Sequence, residues 1–165
     1  VKDSWDIACY LEEVYPDQPS LFGGSIGKGQ AKLLNFQIVK SLLMPLFRVL
    51  VADIHDILDE DDQAYFCLTR EPRIGCSIEE ARNTYRPALE LFQENLWPYI
   101  QCLKTQKFFS GEAPAYSDYI LYGMFQWSRI VSTKNIINQD DLLFEWRTRM
   151  DQLYDGLGGK VGLIN

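Results

Sequence analysis

The stretch AKLLNFQIVKSLLMPLFRVLVADIHDIL, running from about Gln30 to Asp59, constrains this chain more than any other segment. Apolar residues fall on nearly every side of its middle at helical spacing, so it predicts a helix that is covered all round. Such a helix is a central, largely buried element. Pro45 removes one backbone donor from it and predicts a kink at that point.

The flanking segments read as helices too. Ile7, Ala8, Leu11 and Val14 line one face of a first helix, which Pro16 and the Pro-Asp-Gln-Pro turn bring to an end. LFGGSIGKGQ then reads as a flexible connector and the one clear boundary in the chain. The charge run Asp59-Glu60-Asp61-Asp62 closes the long helix or begins a short turn. Ser77-Ile78-Glu79-Glu80 is a capping box, in which the Ser77 hydroxyl and the Glu80 carboxylate each satisfy a free amide. It predicts a helix to about Leu103, bent near Pro87 and Pro98. Further helices are expected over Tyr116–Ser132 and from Asp140 to about Asp155, the last ended by Gly156, Gly158 and Gly159. No strand pattern and no internal repeat is visible. The fold class is therefore all-α, a bundle of five or six helices.

Charge and composition exclude several functions. A formal charge of −7 on 165 residues offers no cationic footprint for nucleic acid, and an acidic surface serves solubility. No apolar run flanked by charges reads as a membrane span, and no signal pattern opens the chain. Cys9, Cys67, Cys76 and Cys102 form no Cys-x-x-Cys pair, so neither a zinc site nor a dithiol redox centre is expected, and reduced thiols point to a cytoplasmic protein. GGSIGKGQ fails as a phosphate loop: Phe22 stands where the first glycine belongs, and Gly29 replaces the magnesium-binding hydroxyl. A calcium loop starting at Asp59 fails because Ala64 and Arg70 occupy its glycine and bidentate carboxylate positions. His55 is the single histidine, placed in the last turn of the long helix where the dipole favours it. No metal site and no catalytic residue can be argued from this chain.

Two stretches nevertheless resemble one family. DSWDIACYLEEVYPDQPSLF is similar to the segment that closes the thioredoxin-like domain of glutathione transferases and leads into their helical domain. SGEAPAYSDYILYGMFQWSRIVS resembles the core of that helical domain, and YFCLTREPRIGCSIEE resembles the fungal class related to bacterial lignin β-etherases. The resemblance covers nearly the whole chain. It implies that residues 1–22 are the terminal helix of a thioredoxin-like domain with the start of a linker, and 23–165 the C-terminal helical domain.

The resemblance also implies a ligand. In the family, an acidic or amide residue followed by serine at this helix N-terminus grips the γ-glutamyl end of glutathione. Asp3 would face the α-ammonium, while Ser4 and nearby amides would face the α-carboxylate. The plainer alternative is an ordinary helix cap. The catalytic Ser, Tyr or Cys lies in the family's other domain, so this chain alone is expected to be inactive. Ile7, Ala8 and Leu11 would pack on the missing thioredoxin-like sheet, which predicts a fragment of a longer protein or a covering chain.

Phe36, Leu43 and Phe47 are the expected wall of a pocket for small apolar electrophiles, in a detoxifying, homodimeric enzyme. A non-catalytic interaction module and an apolar-ligand carrier are the rival readings. At AYSD the family's capping Ser or Thr is replaced by Ala115, so Asp118 is expected to accept from the Ala115 amide with no hydroxyl in return.

Overall fold

A computed structural model describes residues 2–162. Among them there are helices and no strands. The order is α1 (Ser4–Val14), α2 (Ser25–Ile38), a π turn (Val39–Leu43), α3 (Met44–Asp56), α4 (Glu60–Ile74), α5 (Ile78–Asn83), α6 (Tyr85–Asn95), α7 (Trp97–Leu103), α8 (Tyr116–Val131) and α9 (Leu142–Gly156). A short 3-10 turn, Gly158–Lys160, follows α9.

The expected central helix is present, but it is not covered all round: Leu33, Phe36, Val39 and Met44 are 70%, 64%, 42% and 46% exposed. α2, the π turn and α3 run without a break from Ser25 to Asp56. Pro45 does not break the helix; the disturbance is absorbed one turn earlier, by the π turn. Proline leaves the Ser41 carbonyl without its usual i+4 donor, and the Asn95 amide of α6 fills that place at 2.8 Å. By length and composition this helix could cross a membrane, which corrects the expectation that no apolar run is long enough. Here its middle is the bundle core: Ile38, Leu42, Leu46, Val49 and Leu50 are buried against Phe92, Leu96, Leu121, Phe125, Leu143 and Trp146. α3 packs against α4, α5, α6 and α8.

Two expectations need correction. The connector is shorter than LFGGSIGKGQ suggests, because Ser25 already begins α2; of the four residues left, Gly23 and Gly24 take left-handed φ. The acidic run opens a 15-residue helix, α4, rather than a short turn. Three carboxylates in its first turn complement the helix dipole, which favours a start there. The helix predicted from Ser77 to Leu103 exists as three segments, broken at Thr84 and Leu96. Pro87 and Pro98 each sit in the first turn of the segment that follows, where a missing amide costs nothing.

The caps divide in the same way. Ser77 Oγ accepts from the Glu80 amide at 3.1 Å, but the Glu80 carboxylate accepts nothing in return among the described residues. Instead Glu71, from α4, takes the Ile78 amide at 2.9 Å. At α8 Asp118 accepts from the Ala115 amide at 3.2 Å, and the alanine has no side-chain oxygen to reciprocate. Ala115→Thr is expected to raise stability by roughly 0.5–1 kcal/mol, read as melting temperature. No rise would mean that the Ala115 carbonyl, 2.9 Å from the Asp118 amide, already meets that donor's need.

Candidate functional site

α1 starts at Asp3, whose extended backbone and side chain form its cap: Oδ1 accepts from the Trp5 amide at 2.9 Å. Ser4 is the first helical residue. Both side chains are exposed, and Asp3 Oδ2 accepts no hydrogen bond among the described residues. The plain capping role of Asp3 is thus present, yet one carboxylate oxygen is left without a donor among the described residues and Ser4 beside it is exposed at a helix N-terminus. That end carries free amides and a partial positive charge, which suit a carboxylate.

An aromatic group fixes this end of α1 to the bundle. Trp5 meets Tyr116 edge-on at 5.3 Å and lies 5.1 Å from Phe22 between ring centroids. The Tyr116 hydroxyl donates to Asn35 Oδ1 at 3.0 Å, tying the start of α8 to α2. Burial pushes the Tyr116 phenol above its ordinary pKa, hydrogen bonding with Ser4 opposes that rise, and the nearby acids Asp3 and Cys9 add to it. Two cations flank the aromatics: Lys32 Nζ lies 5.9 Å from the Trp5 ring centroid, and Lys28 Nζ 5.6 Å from that of Phe22.

The apolar face of α1 divides in two. Ala8 is buried by Phe22, Ala31 and Tyr116 of this same chain, so it cannot wait for another domain. Ile7, Leu11 and Val14 are 44%, 39% and 45% exposed, with Tyr10 and Tyr15 beside them. These five side chains leave an exposed aliphatic and aromatic face on α1.

The three residues expected to wall a pocket do not share one environment. Phe36 is 64% exposed. Leu43 packs on the main core, and Phe47 lies flat against Trp127 at 6.1 Å while packing near Val51 and Ala52. The four cysteines are free and none is exposed, and among the described residues no group of three metal-ligating side chains converges. Asn35, Lys32 and Tyr116 were not singled out from sequence. They come to the α1 terminus from segments about 30 and 110 residues away, and no local spacing signals that approach.

Comparisons with known proteins bear directly on this arrangement. The family described as "Glutathione S-transferase, C-terminal domain" matches residues 31–153. A glutathione S-transferase-like protein, ustS of Aspergillus flavus, is 28% identical over 137 residues, covering 76% of this chain and 49% of its own. The crystal structure of glutathione transferase GSTFuA3 from Phanerochaete chrysosporium superposes with a TM-score of 0.68 at 26% identity, over 96% of this chain and 61% of that one. CsGST83044 of Ceriporiopsis subvermispora, solved in complex with glutathione, shares the fold at a TM-score of 0.65 and 24% identity, over 96% of this chain and 63% of its own. The chain thus spans about half the length of the curated relative and about three fifths of the solved structures. By the match over most of its length, this all-α chain belongs to the glutathione S-transferase family, with residues 31–153 matching the family's C-terminal domain.

Proposed function

We propose that this chain is the helical half of a glutathione transferase of the fungal type, and that the α1 terminus receives the γ-glutamyl end of glutathione. The observation that carries this reading is the exposed pair Asp3 and Ser4 at a helix N-terminus. Asp3 Oδ2 would accept from the ligand's α-ammonium, while the Ser4 hydroxyl and first-turn amides would donate to its α-carboxylate. The glutathione complex of the Ceriporiopsis enzyme supports glutathione as the ligand class.

A thioredoxin-like domain would cover Ile7, Leu11 and Val14 and would supply the catalytic residue that lowers the thiol pKa of glutathione. The chemistry is attack of that thiolate on an apolar electrophile. A C–S bond forms while the electrophile's leaving group departs with its bonding pair, or while an activated double bond takes up the pair and then a proton, and the thioether is released. Phe36 is the best placed of the three wall residues to meet a co-substrate, since its ring is already exposed. A cytoplasmic, homodimeric, detoxifying enzyme completes the proposal.

Calorimetric titration of glutathione into the protein carrying both domains tests it. Asp3→Asn keeps a good helix cap and removes only the charge. It is expected to weaken glutathione by about tenfold, as is Ser4→Ala, with little change in melting temperature. Wild-type affinity in both variants would reduce Asp3 to a helix cap and remove the glutathione assignment.

A further inference from the structure

The charge of the central helix sets it apart from the rest of the chain. No aspartate or glutamate occurs between Asp17 and Asp53, the longest acid-free run in a protein that carries 23 of them. The charged residues inside that run are Lys28, Lys32, Lys40 and Arg48, all positive, while the protein as a whole carries −7. An anionic partner is therefore repelled least along this helix.

Only one side of α2 serves the core. Of the central helix's most apolar stretch, 33% is buried in the bundle. Ala31 and Ile38 turn inward, whereas Ile26 is 79% exposed and Leu33 and Phe36 stand out with it. Leu33 follows Ile26 by two helical turns and Phe36 follows Leu33 by three residues, so the three share a face. Lys32 and Lys40 are exposed too, one turn before and one turn after Phe36. The outward side of α2 is thus an apolar file with basic flanks, on a helix with no carboxylate of its own.

That composition fits a lipid surface. A helix with lysines beside its apolar side lies in the plane of a membrane, its apolar side chains in the acyl boundary. The lysine stems run along those side chains and place their ammonium groups on the headgroup phosphates. A second copy of the chain fits less well. A symmetric contact centred on Phe36 would bring the lysines of the two copies together, with no carboxylate of this helix between them. We propose that α2 docks on an anionic lipid surface, with Ile26, Leu33 and Phe36 entering the acyl boundary and Lys32 and Lys40 contacting phosphates. The helix lies on the membrane and does not cross it, because Ile38, Leu42 and Leu46 belong to the bundle core. The proposal does not rest on the glutathione reading, although Phe36 belongs to both: an apolar co-substrate dissolved in the lipid would meet it there.

Co-sedimentation of the full-length protein with vesicles tests it, using phosphatidylcholine alone and phosphatidylcholine mixed with phosphatidylserine. Binding to the mixed vesicles is expected to be at least about tenfold stronger and to weaken as salt is raised. Lys32→Gln with Lys40→Gln should remove that preference at an unchanged melting temperature. Lys104→Gln with Lys160→Gln, an equal charge change at exposed sites elsewhere, should leave it in place. Brominated lipid should quench Leu33→Trp more than it quenches the native tryptophans. Equal binding to both vesicles, undiminished binding by the Lys32 and Lys40 variant, an equal loss in the Lys104 and Lys160 variant, or no added quenching would each overturn the proposal. So would a dimer that Leu33→Glu dissociates, which gives the face to a second copy. Capture by polyglutamate without vesicle binding would overturn it as well, in favour of an acidic protein.

Discussion

Asp118→Ala is expected to lower the stability of the domain by about 3–5 kcal/mol, the largest loss of any single polar substitution in it. The Asp118 side chain is fully buried, and its carboxylate accepts four hydrogen bonds. Oδ1 takes the Phe109 amide at 2.8 Å and the Trp146 indole at 2.9 Å. Oδ2 takes the Ser110 and Ala115 amides, both at 3.2 Å. One carboxylate thus joins the loop before α8, the start of α8 and the middle of α9. Trp146 is itself fully buried and packs on Phe109 and Phe125, so water cannot replace the partner lost from its indole. Urea unfolding of the wild type, Asp118→Ala, Trp146→Phe and the double variant measures the pair. The indole bond should show as a coupling of about 0.5–3 kcal/mol. A loss below about 1 kcal/mol for Asp118→Ala would mean that the four donors find other acceptors.

This network also shows where sequence reasoning runs out. The Asp118–Ala115 bond is legible, because it lies three residues apart at a helix start. The other three partners are eight to 28 residues away and answer to no local rule. The same division holds elsewhere. The central helix is legible because it carries a long apolar run at helical spacing, but that run overstates its burial, since Leu33, Phe36, Val39 and Met44 stay exposed. α4 was not, because it buries only Phe66 and Ile74 and carries a proline inside, leaving too thin an apolar stripe to read. On α1 the exposed Ile7, Leu11 and Val14 were recognisable as a face, but Ala8 was assigned to that face and packs into the bundle. A side chain so small fits either surface, and periodicity alone cannot choose. At the candidate site Asp3 and Ser4 were visible as a helix start, whereas Asn35 reaches Tyr116 across 81 residues of chain.

Gly27→Ala and Gly29→Ala are expected to move stability in opposite directions, although they lie two residues apart in the same helix. Replacing glycine by alanine within a helix ordinarily stabilises by about 0.5–1 kcal/mol, since the unfolded chain loses freedom. Gly29 should follow that rule, because a methyl there meets nothing within 4 Å. At Gly27 the methyl would run into the Phe22 carbonyl oxygen, a backbone atom that cannot rotate away. Nor is Phe22 free to retreat. Its ring is buried between Trp5 and Tyr116, and its amide donates to Ser20 Oγ at 3.2 Å. Relief of the clash must therefore shift the segment that holds α1 against α2 and α8, at a net cost of roughly 1–3 kcal/mol. Thermal melts of the two variants give the signs. Stabilisation by both would mean that the Phe22 backbone yields easily, and that α1 is held less firmly than its aromatic packing requires. A loss at Gly27 alone would tie the placing of Asp3 and Ser4 to one glycine that the sequence presents as part of a connector.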